Sequence, residues 1–113
     1  MTTLYGIPNC DSIKKARKWL KNNCISYEFH DYKKAGIDTA TLENWCKEFG
    51  YEALINKRGT TWRKLDDKLK DNVDETKAIK IMQENTSVIK RPVLISEKTR
   101  IIGFSEADYK TLL

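Results

Sequence analysis

Leu4-Tyr5-Gly6-Ile7-Pro8-Asn9-Cys10-Asp11-Ser12-Ile13-Lys14-Lys15-Ala16-Arg17 is the stretch on which the reading of this chain turns. Thr3 to Ile7 reads as a short buried strand, closed by Pro8-Asn9. Helical spacing then takes over from about Asp11 to Asn22. At about 100° per residue Ile13, Ala16, Trp19 and Leu20 gather on one side, and most of Lys14, Lys15, Arg17, Lys18 and Lys21 on the other. Cys10 stands between strand end and helix start. The first helical N–H groups have no intrahelical partner and carry partial positive charge. A sulfur placed there is expected to be stabilised as the nucleophilic thiolate. Asp11 works against that charge unless it turns away to cap the helix.

Working outward, Tyr27 to Tyr32 alternates like a second strand, and Lys33 to Ile37, containing Gly36, reads as a loop. Asp38 and Thr39 are plausible N-caps for a helix carrying Leu42, Trp45, Cys46 and Phe49 inward, ended by Gly50. A basic loop, Asn56-Lys57-Arg58-Gly59-Thr60-Thr61, leads to helical turns around Trp62 to Leu69. A further helix spans about Glu75 to Glu84. Val93 to Ile95 and Arg100 to Gly103 read as two strands separated by Ser96-Glu97-Lys98-Thr99. Ser105 with Asp108 opens a last helix running to Leu113. The order is β-α-β, a helical middle, then β-β-α. That predicts an α/β thioredoxin-like fold, one domain over residues 1–113, with a helical insertion at about 38–87 between its halves.

Composition bounds the function. At 113 residues, 40% apolar and 33% charged, the chain is an ordinary globular domain able to build its own core. No stretch approaches the roughly 18 apolar residues of a membrane span. The start of the chain has neither a basic n-region nor an apolar h-region, so a cytoplasmic location is expected. The net charge of +5 is concentrated on one helix face and comes with no recognised nucleic-acid motif, so it is read as a solvated face that attracts anions.

Three widely spaced cysteines make a poor disulfide framework. With no C-x-x-C pair and one histidine, His30, soft ligands are too few for zinc, and no metal is expected. Cys46 falls on an apolar helical stripe and reads as buried and inert. Cys24 lies beyond the far end of the first helix, about 18 Å from Cys10. A disulfide needs Cα atoms within about 7 Å, so Cys24 cannot resolve Cys10. With Ile13 at the second position of a C-x-x-C, Cys10 makes a one-cysteine site.

The stretch from Leu4 to Arg17 resembles the arsenate reductase (ArsC)/Spx family, and specifically its YffB-like branch. The resemblance continues through Arg58-Gly59-Thr60-Thr61-Trp62-Arg63-Lys64-Leu65, Ile89-Lys90-Arg91-Pro92 and Gly103-Phe104-Ser105, covering essentially the whole chain. It implies Cys10 as nucleophile, Arg58 and Arg91 as arginines that hold an oxyanion or carboxylate, and Pro92 as a cis-proline facing the cysteine. Planar guanidinium forks bind such groups bidentately. On the residues alone, Arg58 reads as an exposed loop charge and Arg91 as a residue positioned by Pro92.

Two departures shape the expected function. Arsenate reductases of this family carry a third arginine where this chain has Gly103 or Phe104, and a Cys-Gly-Thr-Ser-Arg-type loop where it has Cys10-Asp11-Ser12-Ile13-Lys14. A site short of one charge, with a carboxylate near the sulfur, is expected to hold a dianion more weakly. Spx-type regulators, which bind RNA polymerase, usually carry a Cys-x-x-Cys switch that Ile13 removes here. The expectation is a glutathione-linked thiol oxidoreductase with no bound cofactor, using glutathione or a glutaredoxin-type donor as its thiol partner. A glutaredoxin-coupled arsenate reductase and an Spx-like binder of the transcription machinery are the alternatives.

Overall fold

The computed structural model describes residues 2–97 and 99–113. Met1, and Lys98 in the turn expected between the last two strands, lie outside the described residues. The chain divides into two compact units, Met1–Ala35 with Arg91–Leu113, and Gly36–Lys90.

In the first unit, strands β1 (Thr3–Gly6), β2 (Glu28–Asp31), β3 (Val93–Ile95) and β4 (Arg100–Ile102) form one sheet in the order β2-β1-β3-β4. β1 runs parallel to β2 and antiparallel to β3, and β4 is antiparallel to β3. The register lines up Phe29, Leu4, Leu94 and Ile101 as one row across all four strands. Because side chains alternate between faces, that row shares one face of the sheet. Helix α1 (Asp11–Asn22) buries Ile13, Ala16 and Leu20, and Leu4, Ala16, Leu20, Leu94, Ile101 and Tyr109 form one core. Full burial of each large aliphatic in it is worth about 1.5–3 kcal/mol. Lys14, Lys15, Arg17, Lys18 and Lys21 are all exposed.

Gly6 explains how closely α1 approaches β1. A Cβ there would overlap Ile13 Cδ1 and lie 2.9 Å from its Cγ1, so a larger residue enters only if Ile13 shifts. The tight join leaves Ile7-Pro8-Asn9-Cys10 as the whole connection between strand and helix. At the far end of α1 the backbone N–H of Ile25 donates to the Leu20 carbonyl (3.0 Å) and that of Cys24 to Lys21 (3.1 Å). This is the paired closure of a Schellman turn, with Cys24 at the left-handed position, φ 55°.

β2 ends at Asp31, one residue short of the predicted strand, and Tyr32–Ala35 forms a helical turn, α2, where a loop was expected. The Asp31 carboxylate accepts from the Lys33 N–H (2.9 Å), which starts the turn. The last predicted helix is a four-residue α-helical turn, which Lys110–Leu112 tightens to 3-10. Ser105 caps it, its Oγ accepting from the Asp108 N–H (3.1 Å).

The second unit is helical. Helices α3 (Thr39–Phe49), α4 (Tyr51–Leu54), α5 (Thr60–Lys64), α6 (Asp67–Lys70) and α7 (Glu75–Glu84) are followed by a 3-10 turn, Thr86–Val88; the closing α-helical turn of the first unit, Glu106–Tyr109, is α8. Aspartates start three of them: Asp38 Oδ1 accepts from the Thr41 N–H (2.7 Å), Asp66 from Lys68 (3.1 Å) and Asp74 from Lys77 (2.8 Å). The unit buries Leu42, Trp45, Cys46, Leu54, Ile55, Trp62, Ala78, Ile79, Ile81, Met82, Val88 and Ile89. Among the described residues no helix is long and apolar enough to cross a membrane.

Candidate active site

Cys10 is the N-cap residue of α1, with extended backbone (φ −106°, ψ 133°), and its carbonyl accepts the first helical bond from the Lys14 N–H (3.0 Å). Its side chain makes no capping hydrogen bond and is half-buried, so the sulfur is not occupied in holding the helix. Asp11 is the exposed first residue of the helix, a position where a carboxylate complements the helix dipole.

Topology brings the other recognisable segments of the first unit to the same end of the sheet. β1 ends at Gly6 just before the Cys10 loop, and parallel β2 ends beside it just before Tyr32. Antiparallel β3 starts there, directly after Arg91-Pro92, and β4 ends there, before Gly103-Phe104-Ser105. The Arg91–Pro92 peptide bond is cis, Pro92 is buried and Arg91 is half-buried. The Pro92 carbonyl accepts from the Gly103 N–H at 2.8 Å, tying the two segments together.

The sheet face opposite the core row carries an aromatic group. Tyr5 and His30, opposite each other in register, have ring centroids 4.8 Å apart; Tyr32 lies 6.3 Å from Tyr5 and 5.9 Å from His30. Tyr32 is only 2% exposed, yet among the described residues its hydroxyl has no hydrogen-bond partner. Burial pushes its ionisation well above the usual tyrosine range, nearby Tyr5 adds to that, and the positive charge of Arg91 opposes it. Tyr32 is thus a buried polar group within the field of Arg91. Period-2 alternation from His30, carried one step past the strand, is the signal that could have found it.

Arg58 belongs to the second unit, exposed on the turn Asn56-Lys57-Arg58-Gly59. The Asn56 side-chain oxygen accepts from the Arg58 N–H (3.2 Å), and the Asn56 carbonyl from the Gly59 N–H (3.3 Å). The Lys57 ammonium sits 5.9 Å from the Trp62 ring centroid. Cys46 is 5% exposed, and burial, with Glu75 and Glu43 nearby, pushes its thiol up. Cys24 is exposed at the opposite end of α1 from Cys10. Among the described residues no group of three or more His, Cys, Asp or Glu could hold a metal ion.

A model of the ArsC family matches residues 5–112. In structure the chain is similar to the solved YffB protein, with a TM-score of 0.94 at 46% identity over 97% of this chain and 96% of that one. An arsenate reductase (ArsC) related protein from Brucella melitensis gives a TM-score of 0.76, also at 46% identity, over 96% of this chain and 91% of that one. An uncharacterised protein of Haemophilus influenzae is 44% identical over 110 residues, 97% of this chain and 96% of the relative. The four-stranded mixed sheet with its helical insertion is the thioredoxin-like α/β fold of these proteins. A match from the strand that precedes the cysteine almost to the last residue, repeated in sequence and in structure, makes this chain a member of the ArsC family.

Proposed function

We propose that this protein is a glutathione-linked thiol oxidoreductase that works through Cys10 alone. The observation that carries the reading is the isolation of a half-buried thiol at the start of α1. Cys24 lies a 12-residue helix away, about 18 Å at 1.5 Å per residue. Cys46 is buried in the other unit. A thiol with no internal partner takes its second sulfur from outside.

The Cys10 thiolate attacks the glutathione-side sulfur of a mixed disulfide, releasing the substrate thiolate and leaving glutathione bonded to Cys10. A second glutathione thiolate then attacks that bound sulfur, freeing Cys10 as the thiolate and leaving as glutathione disulfide, so the electrons that reduce the substrate come from this second glutathione. Arg91, at the Cys10 end of the sheet, would hold a glutathione carboxylate through a charge-assisted fork. Such chemistry belongs in a reducing compartment, in keeping with a cytoplasmic location.

Incubation with glutathione disulfide, followed by mass spectrometry, should place glutathione on Cys10 before Cys24 or Cys46. Cys10→Ser should abolish glutathione-dependent reduction of a glutathionylated peptide. Labelling confined to Cys24 and Cys46, or full activity in Cys10→Ser, would remove the reading. Turnover of arsenate with glutathione and a glutaredoxin at ordinary enzyme rates would replace it with arsenate reduction.

A further inference from the structure

We infer that the groove between α1 and the start of α8 docks an acidic segment of the protein whose glutathionylated cysteine Cys10 reduces, an inference that rests on the glutathione reading just given. Its lining comes from the first unit alone: Lys15, Lys18, Trp19 and Asn22 from α1, with Phe104 and Glu106 from the segment after β4. Its volume is about 250 Å³. Pockets for drug-sized ligands run from about 300 to 1,000 Å³, so this one suits a side chain rather than a bound small molecule. Trp19 and Phe104 supply its apolar surface. Both rings are half-buried, and each meets the fully buried Tyr109 ring edge-on, with centroids 5.5 and 4.8 Å away. The two rings are therefore held in place before anything binds.

Charge selects the occupant. Within the lining two lysines face one glutamate, and Lys14 and Lys21 extend the positive side along α1. All four lysines are exposed, and among the described residues their ammonium groups make no ion pair. Arg17 is engaged elsewhere: its Nε donates to the Tyr27 hydroxyl (3.0 Å) and its guanidinium lies 4.5 Å from the Phe29 ring centroid. Asp11, Lys15, Lys18 and Asn22, spaced i, i+4, i+7 and i+11, form one row along the helix that begins beside Cys10, the N-cap. At 1.5 Å per residue Lys18 stands about 12 Å along the axis from Cys10. An extended peptide covers that distance in about four residues. A substrate cysteine at the Cys10 sulfur therefore brings its fourth neighbour to the groove, an apolar side chain against Trp19 and Phe104 with carboxylates near Lys15 and Lys18.

The test compares kcat/KM of the full chain, at low ionic strength, on three glutathionylated peptides. The first carries glutamates beside the modified cysteine and a leucine four positions away; the second has lysines for the glutamates, the third serine for the leucine. The first should exceed the second about 10-fold, a preference that fades in about 0.5 M salt. It should exceed the third by about 3- to 10-fold. The Lys15→Glu, Lys18→Glu double variant should abolish or reverse the first preference, and Phe104→Ala should remove the second. Each readout is a ratio within one protein, so a variant that folds poorly loses rate without changing the ratio. Equal rates on all three peptides, a charge preference that survives the double variant, or reduction of only the mixed disulfide of glutathione with 2-mercaptoethanol would overturn the docking site and leave the function standing. Equal peptide rates together with oligonucleotide binding that the double variant abolishes would assign the surface to nucleic acid instead. If neither the peptides nor the small disulfide is reduced, the function fails and the inference falls with it.

Discussion

Cys24 shows how one residue can carry a cost that the contact list hides. It occupies the left-handed position of the turn closing α1, with φ 55°, where a Cβ crowds the backbone and glycine is the usual occupant. Asn22-Asn23 is the turn-prone pair here, since asparagine tolerates that conformation. In the structure the Asn23 side chain instead donates back to the Trp19 carbonyl (2.8 Å), satisfying an end of the helix, and the left-handed step falls on the next residue. Cys24 is exposed, so little packing is lost by truncation. Cys24→Gly should therefore stabilise the protein by about 1 kcal/mol, the relief of one left-handed side chain. Urea denaturation measures it, and a midpoint equal to or below that of the unmutated chain contradicts the assignment. Glutathione chemistry at Cys10 should be unaffected.

Among the elements, the join between β1 and α1 decides where the Cys10 sulfur sits. Ile13 occupies the space in front of Gly6, so strand and helix close on each other across a four-residue connection. Gly6→Ala should destabilise by about 1–3 kcal/mol, the usual cost of overpacking a filled core. It should also slow Cys10 glutathionylation, because α1 must shift to admit the methyl group. Melting temperature and labelling rate are the two readouts; an unchanged melting temperature would show that Ile13 can move aside freely. Elements with a full helical period, α1, α3 and α7, were legible because one apolar face recurs over ten or more residues. The turns Tyr32–Ala35, Tyr51–Leu54 and Thr86–Val88 were not, because three or four residues let an apolar face recur at most once. The site divides in the same way. Cys10 was a candidate from its place before the helix, Arg58 and Arg91 only through the family resemblance. The hold of Asn56 on the Arg58 turn could not be read from the chain, since its anchor, the Val88 carbonyl, is 32 positions away. The alternation from His30 reaches Tyr32, but that its buried hydroxyl has no partner among the described residues is a fact of packing that the alternation does not carry.

At the level of the whole molecule, three buried acids among the described residues are expected to lower stability at alkaline pH, and they are divided between the units. Tyr32 and Tyr109 lie in the first unit and Cys46 in the second. Burial raises the ionisation of all three above ordinary values of 10.0 for the tyrosines and 9.0 for the cysteine. For Tyr32 the neighbouring Tyr5 also contributes, and for Cys46 so do Glu75 and Glu43. The sign follows from proton counting. Above its ordinary value each group has lost its proton in the unfolded chain but keeps it in the folded one, so the folded state binds more protons and stability falls as pH rises. Well below pH 9 these groups contribute almost no slope, and Cys46 is the first to contribute as pH approaches 9. Above pH 10 each buried tyrosine should remove about 1.4 kcal/mol per pH unit. Tyr32→Phe deletes one of the two and discards a hydroxyl that has no partner to lose. Its urea midpoint should match or slightly exceed that of the parent at pH 7 to 8, and the two curves should separate steadily above pH 10, the variant remaining the more stable. Parallel curves across that range would mean that Tyr32 ionises as readily folded as unfolded. Its hydroxyl would then be reached by water, contrary to the burial seen here.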